Sequence, residues 1–202
     1  DFLKHRVSVL MMALMYDSIS TVYLASGSPR RRFLLESCGL MVKQLSQDAD
    51  ETWPTMPLGD AMEDLARRKM AAVKDPLQGP TVSADTAVIL DEKVLGKPAD
   101  AQEAIETITM LAGRAHVVAS GVCVADGTTL TSFHVLTRVW FRPLSKKEIV
   151  SYVGLGESLD KAGAYGIQGH GAALVDRIEG SYTNVVGLPV AETLAALRVL
   201  GT

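Results

Sequence analysis

Cysteine is scarce in this sequence, which limits the chemistry that thiols could provide. Cys38 and Cys123 are the two cysteines among 202 residues, and they do not form a C-x-x-C pair. Structural zinc sites and disulfide frameworks need a larger and more closely spaced set of ligands, so both are excluded. We interpret the two thiols as inert and partly buried, and the reducing cytoplasm as the compartment.

An excess of positive charge is also absent. The formal net charge is −3 and the isoelectric point is near 5.8. Proteins that hold nucleic acid through its phosphate backbone usually carry a basic excess, so we expect no stable nucleic-acid binding. Any positive charge that matters for function must therefore be concentrated locally.

No hydrophobic run is long enough to cross a bilayer. The longest run begins at residue 7 and is interrupted at Asp17, whereas a spanning helix needs about 20 apolar residues. We expect no membrane association and interpret residues 1–20 as an N-terminal extension that packs as an extra helix. A secretory signal is the less favoured alternative, because no small-residue cleavage site follows the run.

The sequence does contain a concentrated basic turn. Residues 21–26 are apolar and β-branched, which predicts a buried strand, and the strand ends at Gly27. Ser28 is the predicted N-cap of the next helix, with Pro29 at its first position.

Three consecutive arginines, at 30–32, begin that helix. Cations at a helix N-terminus oppose the helix dipole, so a cluster of them there indicates an anion. Free backbone N–H groups, the Ser26 and Ser28 hydroxyls and the guanidinium groups of Arg30 and Arg31 all suit phosphate oxygens. The turn therefore predicts a phosphate site; a solvated basic surface is the alternative.

Two charged residues conflict with their apolar surroundings. Asp85 interrupts the predicted strand 81–90, where a carboxylate must be paired, hold a metal or have a raised pKa suited to proton abstraction. A structural aspartate satisfied by neighbouring backbone is equally open. Lys69 lies on the apolar face of a helix predicted over 59–74, for which Asp60 is the expected N-cap.

Lysines and acidic residues add further candidates. Lys69 and Lys97 would neutralise polyphosphate oxygens if they lay near such a ligand, although surface exposure is the commoner fate of a lysine. The acidic stretch 48–51, which includes Glu51, either holds a divalent cation or keeps a loop soluble.

A glycine-rich segment at residues 163–171 is typical of tight turns or of close backbone approach to a ligand. Gln168 lies within it, and its side-chain amide could read the edge of a base. The glycine spacing is neither that of a Walker A loop nor that of a dinucleotide fingerprint.

Predicted strands and helices alternate, with a hairpin around Asp126 and Gly127 in the middle of the chain. This order predicts an α/β fold whose sheet is mixed and not purely parallel.

Several motifs together resemble the Maf family of nucleotide pyrophosphatases. The matching stretches are LASGSPRR, ADTAVIL with LGKP, GRAHVVASGV, and LDKAGAYGIQGHGA with GSYTNVVGLPVAET. They occur in the order and spacing of the family over residues 22–200. The resemblance implies a single Maf-like domain over residues 21–202, with the N-terminal extension outside it.

The resemblance implies a two-lobed α/β fold similar to that of inosine triphosphate pyrophosphatases, with a mixed, curved sheet, flanking helices and a cleft between the lobes. It implies hydrolysis of a nucleoside triphosphate between its α and β phosphates, with a divalent cation (Mg, Mn or Co) bound by Asp85 and Glu51. The catalytic residues of the family match Asp85 as general base, Glu51, Lys69 and Lys97. Its phosphate turn matches Ser26, Ser28, Arg30 and Arg31.

Three positions that are thought to set base preference in the family read here Arg30, Thr86 and Gln168. This set resembles the branch that acts on dTTP, UTP and modified pyrimidine triphosphates. The alternatives are the branch that acts on 7-methyl-GTP and a non-catalytic, nucleotide-binding regulator of cell division. The family also suggests a homodimer. An extra arginine, Arg68, stands beside Lys69 and is expected to be harmless.

Overall fold

A computed structural model describes residues 19–74 and 77–200 of the chain. The expected N-terminal extension with its extra helix covers residues 1–20, of which residues 1–18 lie outside the described residues.

Strands and helices alternate in the described residues, as the sequence predicts. The strands are β1 (Thr21–Leu24), β2 (Met41–Gln44), β3 (Thr81–Leu90), β4 (Lys93–Leu95), β5 (Ala115–Ala125), β6 (Leu130–Phe141) and β7 (Val175–Glu179). The α-helices are α1 (Pro29–Ser37), α2 (Leu58–Ala71), α3 (Ala101–Leu111), α4 (Lys146–Val153), α5 (Tyr182–Val186) and α6 (Val190–Leu200). Two short 3₁₀ segments, Ala162–Ala164 and Gly169–Leu174, precede β7.

The strands form one seven-stranded sheet in the order β2-β1-β3-β5-β6-β7, with β4 paired to β3. β1 runs parallel to both of its neighbours, β2 and β3. β4 is antiparallel to β3, and β7 is antiparallel to β6. The predicted mixed sheet with flanking helices is therefore confirmed.

The helix starts show where local sequence signals decide the structure. Ser28 caps α1 by accepting the backbone N–H of Arg31, and Pro29 occupies the first turn, as predicted. Ser145 caps α4 in the same way. The expected Asp60 cap of α2 is wrong, because α2 begins at Leu58 after Pro57 and Asp60 lies in its first turn.

The described chain divides into two compact units. Of the described residues, the first unit combines those up to Asp85 with Gly121–His134 and those from Gly187 to residue 200. Its interior is filled by fully buried aliphatic side chains from β1, α1, α2, β5 and the C-terminal segment: Leu24, Leu35, Met62, Leu65, Val122, Leu188 and Leu197. Glu63 of α2 accepts hydrogen bonds from Ser132 and His134, which ties α2 to β6 within this unit.

The second unit consists of Thr86–Ser120 and Val135–Val186. Ile108, Leu111 and Val118 are fully buried in it. An aromatic cluster accompanies them, in which His116, Phe141 and Tyr165 meet edge to face at 4.7–5.4 Å between ring centroids.

Within residues 19–74 and 77–200, none of the helices combines the length and the apolar character that a bilayer crossing requires.

Candidate active site

The turn after β1 is stabilised by its own serines. The Ser26 hydroxyl oxygen accepts the backbone N–H of Ser28 at 3.2 Å and the Arg31 guanidinium at 2.9 Å. A hydroxyl has two acceptor positions and one donor, so the Ser26 O–H is the part that stays available for a ligand. The turn therefore combines a fixed shape, a helix N-terminus and a hydroxyl donor, which together suit an anion.

The three consecutive arginines have different surroundings. Arg31 is buried, and its Nε donates to the carbonyl oxygen of Gly187 at 2.9 Å. Arg32 lies on the surface and forms an ion pair with Glu36 at 2.7 Å. Arg30 is partly exposed. The cluster that looks uniform in sequence is thus one anchored guanidinium, one partly exposed guanidinium and one surface ion pair.

Lys69 is the centre of the charged site. Its side chain is 7% exposed, because it lies on the buried face of the amphipathic helix α2. Its Nζ donates to Asp85 Oδ1 at 2.5 Å and pairs with Glu51 Oε1 at 2.8 Å. A buried ammonium group is stable only when it is paired, so the two carboxylates explain why a lysine lies on the apolar face of this helix.

The two carboxylates differ in their surroundings. The Asp85 side chain is 22% exposed and follows the buried residues Ser83 and Ala84 along β3. The Glu51 side chain is 62% exposed and belongs to the loop between β2 and α2. Of the readings that the sequence leaves open for Asp85, the structure therefore supports the paired one.

Residues 26–31, here called the arginine turn, interact electrostatically with the two carboxylates that pair with Lys69. Burial lowers the pKa of the Arg31 guanidinium, and the negative charges of Asp85 and Glu51 oppose this shift while Arg30 adds to it. These four charges and Lys69 all belong to the first unit. They form one charged site near the carboxyl end of β1 and the middle of β3.

The sheet topology explains why these residues meet. β1 is hydrogen bonded to β2 on one side and to β3 on the other, and all three strands are parallel. The chain passes from β1 to β2 and then crosses back to β3, so the direction of winding reverses at β1. Ligands of open α/β sheets bind beyond the carboxyl ends of the strands at such a reversal. The Ser26 turn and the Glu51 loop follow the carboxyl ends of β1 and β2, and Asp85 lies on β3 just beyond Val82, where the pairing with β1 ends.

The site fits a divalent cation that also binds substrate oxygens. Among the described residues, no three His, Cys, Asp or Glu side chains come together as a complete protein cage for a metal. Magnesium is commonly held by one or two carboxylates plus substrate phosphates, and Asp85 and Glu51 supply two carboxylates that meet at one point. In the structure that point is taken by the Lys69 ammonium group.

Comparison with known proteins identifies the family. A family model described as Maf-like protein matches residues 21–200. This chain belongs to the Maf-like protein family. The resemblance inferred from the sequence motifs is therefore confirmed.

Curated relatives of this Maf-like chain share one name. A protein of Pelotomaculum thermopropionicum named dTTP/UTP pyrophosphatase is 45% identical over 184 residues, which are 89% of this chain and 96% of the relative. Proteins of Nitratidesulfovibrio vulgaris and Chromobacterium violaceum with the same name are 50% and 43% identical over 190 and 189 residues. Those alignments cover 90% and 89% of this chain, and 89% and 94% of the relatives.

The remaining predicted residues of the Maf-like chain belong to the second unit. Lys97 is exposed, and the preceding Gly96 accepts the backbone N–H of Gly163 at 3.1 Å, which joins its loop to the glycine-rich segment. Gln168 is partly buried and precedes the second 3₁₀ segment. The Thr86 and Ser120 hydroxyls are hydrogen bonded at 2.8 Å.

Two contributions to the site of this Maf-like protein were not anticipated from the sequence. Gly187 offers its carbonyl oxygen to Arg31, yet a backbone acceptor leaves no signal in a sequence. Arg68 contacts the loop on both sides of Glu51, although its position next to Lys69 in the helix suggested no role. The sequence predicts the side chains at the centre of the site better than the groups that orient them.

Proposed function

We propose that this protein hydrolyses nucleoside triphosphates, with dTTP and UTP as substrates, to the nucleoside monophosphate and pyrophosphate. The observation that carries the proposal is the pairing of Lys69 with both Asp85 and Glu51 in the same unit as an anion-binding turn. The names of the relatives agree with this reaction and supply its substrate class.

The arginine turn is proposed to hold the polyphosphate. The Ser26 and Ser28 hydroxyls, the first N–H groups of α1 and the guanidinium groups of Arg30 and Arg31 present donors to phosphate oxygens. Because Arg31 is already fixed by Gly187 and Ser26, little side-chain entropy is lost when it binds a ligand.

Asp85 is proposed as the general base. It would accept a proton from a water molecule whose oxygen attacks the α-phosphorus, while the bond between that phosphorus and the bridging oxygen breaks. The electron pair of that bond leaves with the pyrophosphate. Lys69 and Lys97 would stabilise the negative charge on this leaving group.

Glu51 and Asp85 are the residues that would hold the divalent cation (Mg, Mn or Co). When bound, such a cation neutralises charge on the phosphate oxygens as the bond breaks. Arg30, Thr86 and Gln168 are proposed to select the base, an assignment that rests on the resemblance to the pyrimidine-specific branch of the family.

A substrate panel tests the proposal directly. Pyrophosphate release from dTTP, UTP, modified pyrimidine triphosphates, 7-methyl-GTP and ATP should be fastest for the pyrimidine nucleotides. Release should require added Mg²⁺, Mn²⁺ or Co²⁺ and stop with a chelator. Faster turnover of 7-methyl-GTP would move the protein to the other branch, and binding without turnover of any nucleotide would favour a regulator of cell division.

A homodimer and a cytoplasmic location remain predictions. Sedimentation equilibrium and fractionation of cells that express the protein would check them, and the absence of nucleic-acid binding can be checked by gel shift with single- and double-stranded oligonucleotides.

A further inference from the structure

Glu51 lies on an exposed loop, yet its carboxylate is held on Lys69. The loop between β2 and α2 contains one isolated β-bridge, between Gln47 and Val73. An exposed side chain on such a loop has many conformations, and fixing one of them costs free energy. Some contact close to Glu51 must therefore hold the backbone around it.

Arg68 makes that contact. Its Nη1 atom donates to the carbonyl oxygen of Thr52 at 2.9 Å and lies 3.7 Å from Asp50 Oδ2. Thr52 and Asp50 are the residues that flank Glu51, and the Thr52 N–H donates to Asp50 Oδ1 at 2.9 Å. The backbone is thus closed into a small turn around Glu51, and one guanidinium group is hydrogen bonded to one side of that turn and within ion-pair distance of the other.

Arg68 is itself oriented by the helix that carries Lys69. Its Nη2 atom forms an ion pair with Asp64 at 2.6 Å, one turn earlier in α2. Lys69, the next residue, binds the carboxylate of Glu51. Two successive residues of α2 therefore hold three successive residues of the loop: Lys69 holds the Glu51 side chain and Arg68 holds its neighbours.

We propose that Arg68 is a positioning residue, which fixes the turn around Glu51 so that its carboxylate is presented to Lys69 and to the divalent cation that accompanies the substrate. The importance of Glu51 rests on the proposed function, whereas the ordering of the loop by Arg68 does not. The competing view treats Arg68 as a surface ion pair, a kind of contact that usually contributes little.

Trp53 permits a direct measurement on the loop. It is the next residue after Thr52 and is 37% exposed, and Trp140 is the one other tryptophan in the sequence. The Trp140→Phe variant therefore has Trp53 as its single tryptophan, which can be excited at a wavelength where the tyrosines do not absorb. Acrylamide quenching of this protein reports on the exposure of the loop without nucleotide or metal.

The test compares Arg68→Ala with Arg68→Lys and with Arg67→Ala, all in the Trp140→Phe background. Arg67 is a matched control, because it lies next to Arg68 and is similarly exposed (42% against 32%) but bonds Glu63 and Ser132. Far-UV circular dichroism checks that each variant is folded.

For Arg68→Ala we expect the Trp53 quenching constant to rise about twofold, since the turn around Glu51 loses its anchor. We expect kcat for dTTP to fall by about tenfold to a hundredfold, the scale of a misplaced group, with KM changed less than about threefold. The Mg²⁺ concentration for half-maximal activity should rise. Arg68→Lys should recover part of each effect, and Arg67→Ala should match the parent protein.

Each other outcome is decisive. Unchanged Trp53 quenching in Arg68→Ala would show that Arg68 does not order the loop, and increased quenching with unchanged kcat would show that this order does not serve the reaction. Either result overturns the positioning role. If Glu51→Gln keeps normal turnover while Arg68→Ala still increases quenching, the ordering of the loop stands and the assigned role of Glu51 fails.

Discussion

At the scale of single residues, the ion pair of Asp85 and Lys69 is the core of the proposed active site. Asp85 emerges from a buried strand and faces a buried ammonium group, which holds its carboxylate in place. A carboxylate that is fixed in this way is oriented before substrate arrives, which is what a general base requires.

Replacing Asp85 with asparagine should separate binding from catalysis. Asparagine keeps the size of the side chain but cannot accept the proton from water, so we expect kcat to fall by about 10²–10⁴-fold. Nucleotide affinity should change only slightly, because the arginine turn is intact. Steady-state kinetics and calorimetry with a nonhydrolysable α,β-imido nucleotide measure the two quantities.

The matched control for that variant is Asp91→Asn. Asp91 is an exposed carboxylate of the turn between β3 and β4, where it pairs with Arg114. The Asp91→Asn variant should have the same kcat as the parent protein. Near-normal turnover of Asp85→Asn would remove Asp85 from the role of general base.

His116 should make stability depend on pH. Burial lowers its pKa from 6.5 to about 4. Between these values the unfolded chain binds the proton and the folded chain does not, so stability decreases as pH falls from about 6.5 to 4, with a total loss of about 3 kcal/mol. Urea unfolding at a series of pH values measures the slope.

The variant His116→Gln should reduce that slope, because it has no group that titrates in this range. The exposed His170 serves as the control, since His170→Gln leaves the buried ring in place. Equal slopes for the parent protein and His116→Gln would contradict the assignment.

Sequence reasoning at this scale picked out residues that contradict their surroundings. Lys69 stood out on an apolar helix face and Asp85 stood out in an apolar strand, and the structure pairs them. Arg68 gave no such signal, because an arginine beside a lysine on a helix is ordinary. Its contacts with Asp50 and Thr52 depend on how the loop folds back, which no local pattern records.

At the scale of secondary-structure elements, α2 is positioned by an unusually close approach to the sheet. Its residue Met62 packs against Gly121 of β5, where a Cβ atom would overlap the Met62 carbonyl carbon and oxygen. The absence of a side chain at Gly121 therefore lets the helix that carries Lys69 lie directly on the strand.

We predict that Gly121→Ala destabilises the protein by about 3 kcal/mol, as overpacking against a fixed backbone does. Thermal or urea unfolding measures the change. Gly27→Ala is the control, because a Cβ atom there meets no atom within 4 Å, and its stability should lie within about 0.5 kcal/mol of the parent protein. Similar stability of the two variants would mean that α2 moves away from β5 at little cost.

The beginnings of the helices show what local sequence can decide. Ser28 was readable as a cap because it precedes a helix with no competing signal nearby. Asp60 was misassigned because α2 begins three residues earlier than an Asp60 cap would allow, after Pro57, where no side chain caps it. Packing of Ala61, Met62 and Leu65 determines where this helix begins, and such packing is tertiary.

At the scale of the whole molecule, three strands contribute to both compact units. β3, β5 and β6 each begin in one unit and end in the other. A strand is a poor place for a folding boundary, since the hydrogen bonds of its neighbours continue along it. We therefore expect the two units to unfold together.

The two tryptophans test this expectation, since Trp53 belongs to the first unit and Trp140 to the second. In Trp140→Phe and in Trp53→Phe, the urea transition seen by the remaining tryptophan should coincide with that seen by far-UV circular dichroism. A tryptophan transition that comes earlier than the circular dichroism transition in either variant would show that the units unfold separately.

The family could be predicted at this scale because several motifs occur in a fixed order along the chain, and the mixed sheet because strands and helices alternate around a central hairpin. The boundaries of the two units could not be predicted, because they cut through strands that look continuous in sequence. The assignment of Thr86, Lys97 and Gln168 to the substrate still rests on the resemblance, as these residues belong to the second unit.

The ammonium group of Lys69 occupies the point at which Glu51 and Asp85 meet, so it competes with any divalent cation that binds the same oxygens. The Lys69→Met variant, which lacks this competing charge, should bind the cation more tightly and also turn over more slowly. With the roles proposed for Glu51, Asp85 and Lys69, affinity for the cation and rate of turnover are then opposed, because the charge proposed to stabilise pyrophosphate also competes for the carboxylates that would hold the metal.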